Sequence, residues 1–322
     1  MTKALITGGT GFIGLHLARY LLDQGLEVVL LDNLSRGRLD THVQGLLESP
    51  GARFVQRDLL TPFAPGELDT DIGVVFHLAA MLGVQNVREN PYEVLRDNTL
   101  MTMNLLDAVR GLPTAPRVVY ASTSEVYAGT LFHFELPLPT PETTPLAVSD
   151  IDEPRTSYML SKIYGEALCR HSGLPWTVIR PHNVYGPRMG MAHVIPEMLK
   201  RAREADAEFT VWSVEHSRTF CFVSDAVAML HAAAFSPQCE NQVLNVGSQE
   251  PEVTMGELAG IVLRALGKDL PIAPLPSTPG SPPRRCPDMA KTHQLTGVAA
   301  QVGLEQGVAQ TLDWYERHVF AN

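Results

Sequence analysis

Charge is scarce in this chain. Asp, Glu, Lys and Arg make up 19% of its 322 residues, against ~25% in ordinary soluble domains. What charge there is leans acidic, with 25 Lys and Arg facing 35 Asp and Glu for a net −10. That balance excludes a general nucleic-acid binder, though an arginine cluster can still hold an anionic ligand locally. Cysteine is sparse as well. Cys169, Cys221, Cys239 and Cys286 stand far apart with no C-x-x-C pair, so neither a metal site nor a disulfide framework is expected, only reduced thiols. No apolar run reaches the ~20 residues that cross a bilayer. The opening Met1-Thr2-Lys3 runs into an apolar strand and a glycine turn, not into a signal peptide. The expectation is a cytoplasmic protein that touches neither membrane nor nucleic acid.

Apolar residues, by contrast, reach 45%, and Gly (25) and Pro (24) are plentiful, which excludes disordered and coiled-coil chains. The length allows one large domain or two joined ones, burying about three quarters of the unfolded surface. The first half alternates short apolar runs with longer amphipathic ones, the pattern of βαβ units on a parallel sheet covered on both faces. Strands are expected over 4–7, 27–32, 53–56, 74–78, 117–121 and 176–180, with helices over 14–24, 98–110 and 157–171. Residues 131–154 turn to Pro, Thr and acidic side chains and read as a long surface excursion. Beyond Pro181 the alternation loosens into helices over 194–204, 225–235 and 304–318 and short strands over 209–212 and 219–223. Seven prolines between 271 and 287 forbid regular structure throughout and read as a loop packed over something.

The first chemical signal is A-L-I-T-G-G-T-G-F-I-G, with Gly8, Gly11 and Gly14 between a strand and a helix. Glycines there let the backbone approach a pyrophosphate, and the helix N-terminus supplies free N–H groups. Asp32 ends the second strand, placed to bind a ribose 2′-hydroxyl. A carboxylate disfavours a 2′-phosphate, so NAD is expected rather than NADP, although Arg36 nearby argues otherwise. The second signal is Tyr158 and Lys162, a Y-x-x-x-K whose members share one helix face. A phenol titrates near 10 and is a poor base at neutral pH; an adjacent ammonium favours phenolate, letting Tyr158 accept a proton from a sugar hydroxyl.

These residues, with Asp58-Leu59, H-L-A-A at His77–Ala80, Asn98, S-T-S-E-V-Y at Ser122–Tyr127, R-P-H-N-V-Y-G-P-R at Arg180–Arg188 and R-T-F-C-F-V-S-D at Arg218–Asp225, resemble the extended short-chain dehydrogenase/reductases, within them the NAD-dependent epimerase/dehydratase family acting on nucleotide sugars. The resemblance implies a Rossmann-type doubly wound parallel sheet with a smaller C-terminal α/β substrate domain. The NAD-binding part would cover 1–180 and be completed by about 219–244; the nucleotide-sugar part would cover 181–218 plus 245–322. By resemblance NAD would lie on Gly8, Gly11, Phe12, Ile13 and Gly14, on Asp32 and Asn33, and on Asp58 and Leu59 at the adenine. Leu78, Ala79, Ala80, Asn98, Tyr158 and Lys162 would complete that site. The nucleotide diphosphate-sugar, UDP favoured, would meet Met81, Thr123, Asn183, Arg188, Val194, Arg218 and Arg285. A homodimer is expected through the helices over 98–110 and 157–171. The first of these carries Leu100, Met101, Met103, Leu105, Leu106 and Val109, more apolar residues than one buried stripe requires.

The family's shared first step removes the 4-hydroxyl proton through Tyr158, with Thr123 on the same oxygen, while C4 is oxidised. Thr123-Ser124-Glu125 then resembles the GDP-mannose 4,6-dehydratases and the UDP-glucuronate decarboxylases, with Glu125 expected as a base near C5. A 4-epimerase is the alternative, needing only Thr123, Tyr158 and Lys162, and a non-catalytic dinucleotide sensor is the rival of another class. Three departures from the family stand out. Ser213-Val214-Glu215-His216 replaces a Gly-Asp-Gly turn, His182 stands where Phe is commoner, and the insert 129–154 is long and carries Phe132, His133 and Phe134. His133 and His182 are candidates for the sugar pocket, although a lone histidine is more often a satisfied structural group.

Overall fold

A computed structural model describes residues 2–134, 137–148, 150–277 and 281–321, the side chains of Val84 and Phe132 excepted. Six strands run in parallel: β1 (Lys3–Thr7), β2 (Glu27–Asp32), β3 (Ala52–Gln56), β4 (Ile72–His77), β5 (Arg117–Ala121) and β6 (Trp176–Pro181). A seventh, Gln242–Val246, joins the edge beside β6, giving the order 242–246, β6, β5, β4, β1, β2, β3. Alternation of side chains across the sheet divides the core between its two faces. Ala4 and Ile6 of β1 pack with Leu17, Leu21 and Phe76 on one face, while Leu5 joins Val75, Leu105 and Val109 on the other. The chain order reverses between β1 and β4, and ligands of such sheets bind at that switch, outside the strands' C-terminal ends.

The first face continues without a break into the C-terminal part, where Ile195, Leu199, Phe209, Leu258, Val262 and Leu312 belong to the same buried cluster as Ile6. The helix Val223–Phe235 returns onto the sheet before the edge strand. The expected strand over 219–223 is shortened to Cys221–Phe222 because Val223 already begins that helix. The excursion after residue 131 is anchored rather than loose. Thr130, Thr140 and Thr144 are buried, and Thr140 bridges to Pro287 of the proline-rich segment. That segment contains two short strands, Ile272–Leu275 and Arg284–Arg285. Pro279 and residues 135, 136 and 149 of the insert lie outside the described residues.

Candidate active site

The turn after β1 is built by close approach. A Cβ on Gly14 would lie 2.3 Å from the Gly8 carbonyl oxygen, so only glycine lets the helix start this near the turn. Gly11 caps the helix Phe12–Asp23 with its backbone alone, leaving the first-turn N–H groups without intrahelical partners. Asp32 is buried and accepts from the N–H of Thr10 (3.2 Å) and of Leu34 (2.9 Å). Asn33 donates to Asp58 at 3.3 Å, which brings together two positions expected at the adenosine end, while the Leu59 side chain turns into the core. This cradle, with the buried Thr10 Oγ1 lacking a partner beside it, fits a dinucleotide.

Two residues brace the backbone around this cradle. Asn98 accepts from Met81 N–H (2.7 Å) and donates to Met81 O and Ser161 Oγ, so it ties the segment after β4 to the helix Pro154–His171. Arg188 was expected at the substrate. Its guanidinium instead bonds the carbonyls of Thr10 (2.8 Å) and Gly11 (3.2 Å) and the Asp40 carboxylate (2.8 Å). Arg36 reaches across to the Leu82 carbonyl at 3.4 Å, away from Asp32.

The helix Pro154–His171 carries Tyr158 and Lys162. It packs unusually near β5: a Cβ on Gly165 would fall 1.9 Å from the Tyr120 hydroxyl. Lys162 donates to Ala121 O at 2.8 Å, and burial lowers its pKa to about 8. Tyr158 hydrogen-bonds Thr123, yet burial first and the Glu125 charge second raise its pKa well above the usual phenol value. The Lys162 ammonium lies 5.8 Å from the centre of the Tyr158 ring, and the Arg36 charge also acts to lower the Tyr158 pKa.

Glu125 departs furthest from expectation. One carboxylate oxygen accepts from Arg155 Nε at 2.9 Å and the other pairs with Arg285 Nη1. Burial alone would raise its pKa, but Arg285 and Arg155 together hold it at about 2. Glu125 thereby holds two arginines from distant parts of the chain together. Arg285 keeps Nε and Nη2 buried without protein partners. Arg218 lies close enough to Arg285 for that charge, after burial, to help lower its own pKa to about 10. Its N–H groups meet Ser281 Oγ and the carbonyls of Ser217, Pro282 and Pro283. Asn183, at φ +40, donates to Thr219 O at 2.8 Å. Val194 is exposed at the start of its helix and Ser124 is buried beside Thr123.

Behind these groups lies a buried polar network that sequence reasoning did not assemble. Glu166 accepts from Ser122 Oγ (2.6 Å) and twice from Arg180 (2.8 Å each); Arg180 also donates to the Tyr127 hydroxyl (2.8 Å). The signal was available, since Glu166 lies one helical turn past Lys162 on the same face. His182 is buried against Asn245 at 3.2 Å, and burial lowers its pKa to about 3. It is structural, contrary to a place in the sugar pocket. His133 is exposed, and the Phe132 side chain lies outside the described residues. Ser213 adopts φ +54, the left-handed turn its glycine counterpart takes without strain.

The model of the NAD-dependent epimerase/dehydratase family matches residues 4–247. The chain belongs to that family. NAD is the cofactor of the NAD-dependent epimerase/dehydratase family, and the residues present fit it. A relative in that family, the UDP-N-acetyl-alpha-D-glucosaminuronate decarboxylase of Bacillus cytotoxicus, is 32% identical over 97% of each chain. Among solved structures, an NAD-dependent NDP-hexosamine 5,6-dehydratase is 28% identical with a TM-score of 0.82, covering all of both chains. The UDP-glucuronic acid 4-epimerase of Bacillus cereus, in complex with UDP-glucuronic acid and NAD, is 25% identical with a TM-score of 0.82 over 98% of this chain and 99% of that one. Members of the family with these activities are enzymes of nucleotide-sugar chemistry, and so is this chain.

Proposed function

We propose that the protein decarboxylates a UDP-linked hexuronic acid, and the observation that carries this is the Arg155–Glu125–Arg285 cluster beside Tyr158. Arg155 and Arg285 converge on Glu125 there, and Arg285 keeps two buried donors without protein partners. A sugar bearing a carboxylate at C6 brings an anion suited to this arginine pair. Arg155 stands three residues before Tyr158 on the same helix face, placed for that carboxylate, while the unpartnered donors of Arg285 and the nearby Arg218 suit a diphosphate.

NAD supplies the removal and return of a hydride at C4. Tyr158 takes the proton of the 4-hydroxyl, and Thr123 orients that oxygen. With C4 a ketone, the C6 carboxylate is β to it. The C5–C6 bond then breaks, its electron pair moves into an enolate across C5 and C4, carbon dioxide leaves, and a proton adds at C5. No base at C5 is needed, which agrees with the low basicity of Glu125 and favours decarboxylation over dehydration.

Incubation with NAD and either UDP-glucuronate or its N-acetylamino counterpart should give a product lighter by one carbon dioxide in mass spectrometry. An unchanged mass with inverted C4 would establish the epimerase instead, and loss of water would establish a dehydratase. We further propose a cytoplasmic homodimer, since the four cysteines are unpaired and Leu100, Met103 and Tyr164 stay exposed on the two helices expected at the interface. We likewise propose an NAD part over 1–180, completed by about 219–244, and a nucleotide-sugar part over 181–218 plus 245–322.

A further inference from the structure

Asn245 lies on the edge strand, wholly buried, and all its polar groups are engaged. Its side-chain oxygen accepts from the Tyr127 hydroxyl (2.9 Å) and faces His182 Nε2 (3.2 Å). Its side-chain nitrogen donates to the carbonyls of Thr140 and Asp288, both at 3.0 Å. Its backbone N–H donates to Glu142 Oε1 (2.8 Å) and its carbonyl accepts from Thr292 Oγ1 (2.6 Å).

These bonds join segments that no single element connects. Tyr127 is two residues from Glu125 and accepts from Arg180, which grips Glu166 on the helix of Tyr158 and Lys162. On the other side, Thr140 N–H donates to Cys286 O (2.8 Å) and Asp288 N–H to Thr140 O (2.9 Å). Thr140 thereby clamps the backbone directly after Arg285. The two side-chain donors of Asn245 hold that clamp while its side-chain acceptor holds the Glu125 segment.

We propose that Asn245 is a positioning residue that sets Arg285 against Glu125, keeping the arginine wall in register with the Tyr158 helix. The proposal rests on the reading that Arg285 faces the sugar nucleotide. None of these hydrogen bonds of Asn245 reaches a residue of the glycine turn. Its loss should therefore be felt at the substrate and not at the cofactor.

Asn245→Asp keeps the acceptor and turns both donors into an acceptor facing two carbonyls. Titration of the full chain with UDP should show affinity weakened about tenfold or more, equivalent to about 1.4 kcal/mol. NADH affinity, read from its fluorescence, should stay within about twofold, below ~0.5 kcal/mol. Unchanged UDP binding, or equal weakening of both ligands, would overturn the proposal. Where Asn245→Asp does not fold, Tyr127→Phe decides by deleting one hydroxyl from the link. It should weaken UDP about threefold, under 1 kcal/mol, and spare NADH; no change overturns. A wild-type chain that binds NADH but not UDP removes both this inference and the proposed function, whereas normal UDP binding in the variants removes only the inference.

Discussion

Glu125 shows how a residue's partners decide its chemistry. As a base, it would lose about as much in Glu125→Gln as in Glu125→Ala, typically 10²–10⁴-fold in rate. As a clamp, the glutamine keeps one of the two arginines through its amide oxygen and turns its NH2 toward the other. Losing one ionic hydrogen bond costs about 1.5–3 kcal/mol, roughly ten- to a hundredfold. The expected order in steady-state turnover is thus wild type, then Gln, with Ala lowest. Tyr158→Phe should abolish the absorbance of reduced cofactor, because the first proton then has no acceptor. That Tyr158 and Lys162 share one helix was legible from the i, i+4 spacing. The clamp was not, because Arg285 lies 160 positions from Glu125 and no local pattern announces such a pairing.

Elements were legible where one periodicity governs a stretch. The strand Arg117–Ala121 and the helices Val194–Glu204 and Leu304–His318 stand where the apolar spacing put them. The edge strand Gln242–Val246 was not assigned, since five residues bear too short a pattern to separate a strand from a buried turn. The helix Pro91–Arg110 divides its apolar residues between core and surface. Of its apolar residues, Met101, Leu105, Leu106 and Val109 fill the core, leaving Leu100 at 38% and Met103 at 42% exposure, with Tyr164 of the neighbouring helix at 58%. The apolar surplus is therefore smaller than its sequence suggested. Tyr164→Glu should convert the proposed dimer to monomer in light scattering with its helicity intact by circular dichroism. A wild-type chain that scatters as a monomer would remove the assignment.

At the scale of the molecule, buried histidines make stability depend on pH. Burial holds His77 and His182 near a pKa of about 3, against 6.5 for the free side chain. A base kept neutral in the fold binds protons only when unfolded, so the unfolded state gains protons as pH falls below 6.5. Stability contributed by neutrality is present above that pH and declines towards pH 3. Glu125 adds a second decline between its unfolded value of 4.5 and about 2, as a depressed carboxyl does when it is finally protonated. Urea midpoints measured between pH 7 and 4 should therefore fall, and His182→Phe should remove roughly one proton from the slope. An unaltered slope would mean that His182 titrates normally.

The grip of Arg188 on the Thr10 and Gly11 carbonyls bears on how this architecture can be cut and recombined. The loop that cradles the cofactor takes one of its supports from beyond residue 180. A chimera that grafts residues 1–180 onto another C-terminal half inherits a slack loop unless that half brings its own guanidinium to the same two oxygens. The support that Arg188 gives this loop travels with the second half of the chain, not with residues 1–180.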